Sequence, residues 1–142
     1  AGVAGCGPTD PFVESIRKAA EQGDADAQYR LGQMYYRGHY KDKDWSVSQD
    51  YTEAAKWYRK AAEQGDYGAQ YNLGQMYDTG EGVPKDSVDA YALYLLSAAN
   101  GDGLAKQRLR GRTPDQLAEA QKRATELTEK INANKAKVTV SP

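Results

Sequence analysis

Two segments of this chain are near copies of each other, and this internal repeat limits the possible folds more than any other feature. Residues 19–38 read AAEQGDADAQYRLGQMYYRG and residues 61–80 read AAEQGDYGAQYNLGQMYDTG, so 15 of the 20 positions are identical. A weaker third copy begins at Ala98, at an offset of 36 from the second copy instead of 42. The six extra residues lie between Gly38 and Asp50. A repeat of this length is typical of units that stack on their neighbours.

The spacing within each unit predicts two helices. Apolar residues recur every four positions in the first helix, which places them on one face; they are Ala27, Leu31 and Tyr35, and then Ala69, Leu73 and Tyr77. The second helix has helical spacing too, through Ala54, Trp57, Tyr58, Ala61 and Ala62, and then Ala90, Leu93, Tyr94 and Ala98.

Glycines in each unit predict helix ends and a close helix–helix contact. Gly-Asp pairs stand at 23–24, 65–66 and 101–102. We expect the glycine to end one helix in a left-handed conformation and the aspartate to cap the next. Gly32 and Gly74 lie in the middle of a helix, where glycine costs about 1 kcal/mol relative to alanine. Their position predicts that a neighbouring helix approaches closely.

The sequence predicts a capping helix at each end of the array. A solenoid needs such helices to cover its terminal apolar faces. Asp10-Pro11 predicts a helix start, followed by an apolar stripe like that of a second helix. Thr113-Pro114-Asp115-Gln116 has the pattern of a capping box, and apolar residues follow from Leu117 to Ile131. We expect a tether at 1–9, a solenoid at 10–131 and a flexible tail at 132–142. Within the solenoid the units span about 24–64 and 66–100, and the caps span 10–22 and 102–131.

The repeated string, followed by GEGVPKD at 80–86, resembles the Sel-one-like repeat (SLR), a longer relative of the tetratricopeptide repeat. The resemblance implies an all-α fold: a right-handed α-solenoid of stacked helix-turn-helix repeats, with two full SLR units plus N- and C-terminal capping helices. The first copy departs from the family pattern, because HYKDKDWSVSQ at 39–49 replaces its Gly-Val-Pro loop. This difference affects the expected loop shape and leaves the helices as they are.

Composition excludes several classes of protein. One cysteine and one histidine allow neither an internal disulfide nor a multi-histidine metal site, and we expect no cofactor. A net charge of −1 argues against nucleic-acid binding. Residues 1–100 carry 10 basic and 15 acidic residues, whereas residues 101–142 carry 9 and 5. This charge step could steer a partner, or it could simply be the solvated surface of a helical protein.

The segment Val3-Ala4-Gly5-Cys6 resembles a bacterial lipobox, in which the cysteine is lipidated after a signal peptide is removed. This predicts Cys6 as the lipidation site and a periplasmic location, anchored to the outer membrane because no aspartate follows the cysteine. The protein would be attached to the membrane only through that lipid. The alternative is a chance Ala/Gly-rich sequence with a free thiol.

The pattern gives little support to catalysis. His39 lies beside charged residues and could act as a base, but no nucleophile is placed near it by a motif. We interpret it as a solvated loop histidine and expect no enzyme activity. Some cysteine-rich relatives in the family have been described as hydrolases, and this chain lacks their cysteine pairs.

A protein-binding surface is the better-supported prediction, since the first helices of a solenoid line its concave side. Positions outside the apolar face are available to a partner, and tyrosine and arginine are common in interfaces. The predicted contact residues are Tyr29, Arg30, Gln33, Tyr36, Arg37, Tyr71, Asn72, Gln75 and Asp78, with His39, Tyr40 and Trp45 from the insertion. For the tyrosines, core packing and partner contact both remain open, and either the concave face or residues 39–49 could form the binding surface.

The resemblance narrows the expected function. Short bacterial SLR lipoproteins include immunity proteins that block toxic effectors, such as phospholipases delivered by type VI secretion. We therefore expect a protein partner, with a toxic lipase-like effector as the favoured one. The alternatives are an envelope scaffold or adaptor for an assembly or exopolysaccharide export, and more remotely a glycan binder or a hydrolase.

Overall fold

The computed structural model describes residues 10–38 and 47–140, with side chains up to Val138. Within these ranges the chain forms seven α-helices and no strand. The helices are α1 (Pro11–Glu21), α2 (Ala25–Arg37), α3 (Tyr51–Ala62), α4 (Tyr67–Thr79), α5 (Ser87–Ala99), α6 (Gly103–Leu109) and α7 (Pro114–Val140). Because consecutive helices pack against each other from α1 to α6, the predicted all-α repeat solenoid is confirmed.

Aspartate caps begin the first helix of each unit, as predicted. Asp24 and Asp66 accept hydrogen bonds from the backbone N–H groups of Ala27 and Ala69, each at 2.8 Å. Asp102 caps α6 through the N–H of Leu104. These bonds satisfy N–H groups that have no partner within the helix.

The capping box at the start of α7 is also confirmed. The Thr113 N–H donates to Gln116 Oε1 at 3.0 Å, and the Gln116 N–H donates to Thr113 Oγ1 at 3.3 Å. The two residues therefore satisfy each other's backbone donors, which fixes where the last helix begins.

Two glycines allow the close helix contact that the sequence predicted. A Cβ atom at Gly32 would lie 2.6 Å from Cδ1 of Tyr58, and one at Gly74 would lie 2.8 Å from Cε1 of Tyr94. The tyrosine ring of each second helix thus rests on the glycine of the first helix. Leu31, Leu73 and Met34 lie beside these contacts in the core and are at most 2% exposed.

The packing of α1 onto α2 matches the packing of α3 onto α4. Gln28 Nε2 donates to the Ala20 carbonyl at 3.0 Å, and the equivalent Gln70 donates to the Ala62 carbonyl at 3.2 Å. The Arg17 guanidinium donates to the Tyr35 hydroxyl in the same way as Arg59 donates to the Tyr77 hydroxyl. The expected likeness of α1 to a second helix is therefore present in its contacts.

We call α2, α4 and α6 the first helices and α1, α3 and α5 the second helices. A junction is the contact between a second helix and the first helix that follows it in the chain. The protein has three described junctions: α1–α2, α3–α4 and α5–α6.

Helix α7 is longer than the sequence analysis expected. It continues through Val140, whereas the sequence pattern predicted a helix to Ile131 and no helical structure in 132–142. A tertiary contact lies within the extension: Asn134 donates to the Glu63 carbonyl at 3.3 Å, next to the pair of Lys130 Nζ with Glu63 Oε1 at 2.8 Å. Ala136 and Lys137 are also good helix formers, so little opposes continuation of the helix.

Candidate partner-binding surface

The first helices present one polar surface, which we call the first-helix face; its core residues are the predicted positions on α2 and α4. Tyr29, Gln33 and Tyr36 on α2 are half-buried, and Arg37 is exposed. On α4, Tyr71, Gln75 and Asp78 are half-buried. Most side chains of the first-helix face are therefore half-buried, and fewer are exposed.

The paired residues Tyr29 and Tyr71 have a structural role in both copies. The Tyr29 hydroxyl accepts a hydrogen bond from Gln33 at 3.0 Å, and the Tyr71 hydroxyl accepts one from Gln75 at 3.1 Å. Their rings pack on the second-helix tyrosines, with centroids 6.0 Å apart for Tyr29 and Tyr58, and 5.7 Å for Tyr71 and its counterpart in α5. Both tyrosines are therefore half-buried and held by contacts within the solenoid.

Each of these tyrosines also reaches across to the next unit. Burial raises the pKa of the Tyr29 phenol, and the Asn72 side chain lies close enough to its hydroxyl to lower that pKa in part. In the next unit, Arg108 Nε donates to the Tyr71 hydroxyl at 3.5 Å. Residues 72 and 108 are equivalent positions in the repeat. The sequence analysis missed Arg108, although its register with Asn72 was a signal that could have identified it.

Tyr36 and Asp78 occupy equivalent positions in the two copies and both make internal bonds. The Tyr36 hydroxyl donates to Glu81 Oε1 at 3.1 Å, and its ring lies 5.0 Å from that of Tyr51. Asp78 Oδ2 accepts a bond from the Tyr94 hydroxyl at 3.4 Å. The sequence analysis did not find Glu81, because its bond to Tyr36 spans 45 residues and depends on the loop fold.

Arg30 differs from Tyr36 and Asp78, because its partner lies on its own helix. It pairs with Asp26 at 2.8 Å, and the two side chains are 41% and 67% exposed. An exposed pair of this kind contributes little to stability, below about 1 kcal/mol. The Arg30 guanidinium can therefore exchange this partner for another at small cost.

Burial favours the phenol form of Tyr29 and Tyr36 on this surface. Burial raises the pKa of the Tyr29 and Tyr36 hydroxyls, and the bond from Tyr36 to Glu81 raises the Tyr36 pKa further. Burial also raises the pKa of the Asp66 carboxyl at the start of α4. Since the phenols stay protonated, each can donate as well as accept hydrogen bonds.

The insertion is described only at its C-terminal end. His39, Tyr40 and Trp45 lie outside the described residues, as does Cys6. Val47 is 8% exposed and belongs to the apolar cluster around Leu31. Gln49 Nε2 donates to the Tyr36 carbonyl at 2.9 Å, so this end of the insertion is attached to α2.

Helix α7 covers the opposite side of the solenoid. It packs along α5 and reaches the end of α3 through Glu63. A cavity of about 120 Å³ remains between α7 and the repeat units, with Leu73 and Leu93 in its lining. Arg123 pairs with Asp89 at 3.1 Å beside this cavity. The described contacts of α7 thus lie on the second-helix side and leave the first-helix face open.

Neither a metal site nor a membrane span is present in the described residues. No group of three or more His, Cys, Asp or Glu side chains within 10–38 and 47–140 could hold a metal ion. In the same ranges, no helix combines the length and the apolar character that crossing a bilayer requires.

The comparisons with known proteins agree with this architecture. The Sel1 repeat profile matches residues 16–24, 25–66 and 68–102, which is more than half of the chain. The chain belongs to the Sel1 repeat family. Sel1 repeat proteins serve as protein–protein interaction modules, and their fold is generally a non-enzymatic scaffold.

Thirteen chains of solved structures are similar to this chain, among them the following three. The first is a protective antigen present in uropathogenic Escherichia coli strains that displays an SLR fold, with 34% identity and a TM-score of 0.72 over 92% of this chain and 28% of that one. The second is a Sel1 repeat protein from Oxalobacter formigenes, with 41% identity and a TM-score of 0.62 over 67% of this chain and 26% of that one.

The third similar structure is Helicobacter pylori cysteine rich protein B, with 26% identity and a TM-score of 0.61 over 69% of each chain. The present chain spans little more than a quarter of the length of the first two structures. No protein among the curated sequences matches this chain.

Proposed function

We propose that this chain binds one protein partner through its first-helix face and inhibits it by covering the partner's active site. The observation that carries the proposal is the division of the solenoid into two sides. Helix α7 occupies the second-helix side, whereas the first-helix face keeps exposed polar groups such as Arg30 and Arg37. Arginine and half-buried tyrosine are side chains that dominate protein interfaces when a partner removes them from water.

The favoured partner is a toxic lipase-like effector, with this chain as its immunity protein in type VI secretion. Support comes from the resemblance to short bacterial SLR lipoproteins.

The proposed location is the periplasm, with the outer membrane reached through a lipid on Cys6. Support comes from the Val3-Ala4-Gly5-Cys6 segment alone. Mass spectrometry of the protein from its native cells tests this directly. An acylated N-terminal Cys6 and loss of membrane association in Cys6→Ser are expected, and an unmodified thiol on membrane-free protein would contradict the proposal.

The partner is identified by co-purification with the tagged full chain and then assayed with it in purified form. We expect one protein in a 1:1 complex, and we expect its lipid hydrolysis to fall as the complex forms. Arg37→Glu should weaken this complex at least about tenfold, because it reverses a charge on the first-helix face. Lys122→Glu makes the same charge change on an exposed position of α7 and is the matched control.

Two results would overturn parts of this proposal. If Lys122→Glu weakens the complex and Arg37→Glu does not, the binding surface lies on the α7 side. If the complex forms normally and the partner's activity is unchanged, the chain is not an inhibitor.

A further inference from the structure

The cavity beneath α7 is apolar inside and charged at its edge. It has a volume of about 120 Å³ and lies between α7 and helices α3, α4 and α5. Leu73 and Leu93 in its lining are 2% and 4% exposed, so this part of the cavity belongs to the core. Such an interior favours an alkyl group over water, because a buried water needs several polar partners. The apolar lining consists of Ala62, Leu73, Leu93, Leu96, Leu127 and Ile131.

The volume of the cavity limits the size of the group that it can hold. A cavity of about 150 Å³ lined by comparable apolar side chains binds benzene, which has six carbon atoms. By the same ratio, about 120 Å³ accommodates about five carbon atoms. A branched alkyl group of this size is compact and suits the leucine and isoleucine side chains around it.

The edge of the cavity carries one positive charge whose described hydrogen bond is to a neutral group. Arg59 lines the cavity, is exposed to solvent and donates to the Tyr77 hydroxyl. Its guanidinium therefore lies where the cavity meets water. The other three ionic groups of the lining form ion pairs, which are Arg123–Asp89 at 3.1 Å and Glu63–Lys130 at 2.8 Å.

Arg59 differs from its equivalent on α1 in the charge that stands beside it. Arg17 and Arg59 each donate to a tyrosine hydroxyl of the following first helix. Arg17 also has a carboxylate nearby, since Glu14 lies 3.8 Å away one turn earlier. The position equivalent to Glu14 on α3 is Lys56, a second cation. The repeat thus replaces the negative neighbour of this arginine with a positive one, which favours an anion at Arg59.

Asp89 is the carboxylate of the lining that competes with an anionic ligand. Burial raises the pKa of its carboxyl, and the positive charges of Arg123 and Arg59 act against this rise. Its 3.1 Å ion pair, however, is with Arg123. A guanidinium has five N–H donors and the bond to Tyr77 uses one of them, so Arg59 keeps donors for a second carboxylate.

We propose that this cavity binds a small carboxylate ligand, with a branched alkyl group of about five carbons beneath α7 and the carboxylate on the Arg59 guanidinium. The apolar interior and the cationic edge fit the two ends of such a molecule. The site lies on the second-helix side, so the inference goes beyond the proposed partner binding and does not depend on the first-helix face. Because the ligand fills space between α7 and the repeat units, it should stabilise the packing of α7.

The test is a titration of the full chain with isocaproate, which has five apolar carbons and one carboxylate. NMR of the methyl groups should show saturable shifts at Leu93, Leu127 and Ile131, and amide hydrogen exchange in α7 should become slower. The amide of isocaproate has the same shape without the charge. It should bind about tenfold more weakly, because hydrogen bonds between two charged groups are stronger.

Variants of the full chain separate the two ends of the site. Arg59→Gln should weaken isocaproate binding about tenfold and leave binding of the amide unchanged. Arg17→Gln is the matched control, because it removes the equivalent bond to a tyrosine away from the cavity, and it should leave both ligands unchanged. Leu96→Phe adds bulk to the lining and should weaken the binding of both ligands.

Four results would overturn the inference. They are no saturable shift up to about 10 mM isocaproate, saturable shifts confined to the first-helix face, equal binding of isocaproate and its amide, and equal losses in Arg59→Gln and Arg17→Gln. Each of these results leaves the test of the proposed function unaffected, because that test measures the complex with a protein partner through Arg37→Glu.

Discussion

Helices α2 and α4 are near copies in sequence, and the structure separates the positions at which they agree from those at which they differ. Leu31 and Leu73 are equally buried, and Gly32 and Gly74 accept equivalent tyrosine rings. At positions 30 and 72 the copies differ because their neighbours differ. Asn72 lies beside the Tyr29 hydroxyl of the preceding unit, whereas Arg30 pairs with Asp26 on its own helix.

The comparison shows that a difference between copies is not by itself a sign of a binding residue. Tyr36 and Asp78 differ, and each makes an internal bond suited to its own unit. Among the positions that differ, Arg30 and Arg37 are charged, and Arg37 is exposed. Context within the solenoid therefore decides which variable residues are available to a partner.

The largest predicted loss of stability is at two glycines that occupy equivalent positions in both copies. Gly32→Ala and Gly74→Ala should each lower the free energy of unfolding by about 1–3 kcal/mol, because the new Cβ overlaps a buried tyrosine ring. Chemical denaturation followed by circular dichroism measures this. Gly103→Ala is the control, since no atom lies within 4 Å of its Cβ position. Equal stability of all three variants would mean that the close approach is not needed.

A smaller loss of stability is expected at the second and third junctions, and the two junctions should differ in coupling energy. Tyr29→Phe removes a hydroxyl that accepts a hydrogen bond from Gln33 and lies beside Asn72, and it should cost about 1 kcal/mol. A double-mutant cycle with Asn72→Ala should give a larger coupling energy than the cycle of Tyr71→Phe with Arg108→Ala. The coupling at Arg108 should be small because Arg108 is exposed and its bond to the Tyr71 hydroxyl is long, at 3.5 Å. Equal or reversed couplings would contradict this ranking.

The Asp66 carboxyl should make the stability of the protein depend on pH. Burial raises its pKa in the folded state, so the folded protein binds the proton more tightly than the unfolded chain. Its contribution to stability is therefore greatest below the unfolded pKa and declines as pH rises through the folded pKa. Asp66→Asn keeps a side-chain oxygen that can cap α4 and should flatten this decline. Thermal unfolding of both proteins between about pH 3 and 7 measures it, and parallel curves would show that Asp66 is not the cause.

The smallest predicted effect concerns the end of α7. Lys130→Met should cost at most about 0.5 kcal/mol, because the pair with Glu63 is partly exposed. The informative readout is amide hydrogen exchange over residues 132–140. Faster exchange there is expected if the contact with Glu63 holds this part of the helix, and unchanged exchange would show that intrinsic helix propensity is sufficient.

The sequence was a good guide to features that depend on local spacing. The repeat, the aspartate caps, the capping box at Thr113 and the close contacts at Gly32 and Gly74 all follow from patterns within one unit. The end of α7 did not follow, because its contact with Glu63 joins residues 67 and 71 positions apart. The tyrosines stayed ambiguous for the same reason, since ring packing depends on neighbouring units.

The structure places the predicted contact residues of α2 and α4 on the first-helix face, and binding of a partner there stays a prediction. The face on α2 and α4 is present, but Tyr29, Gln33, Tyr71 and Gln75 bond mainly to each other within their units. Arg108 and Glu81 belong to the same surface and were not predicted. The outcome for His39, Tyr40 and Trp45 stays a prediction, because they lie outside the described residues.

Site-specific photo-crosslinking in the cells that make the protein tests the central claim most directly. A photoreactive amino acid is placed at Arg37 on the first-helix face or at Lys122 on α7, in otherwise identical full-length chains. The account predicts one protein adduct of defined mass from position 37 and none from position 122. An adduct formed from position 122 and absent from position 37 would show that the partner binds the side that α7 covers.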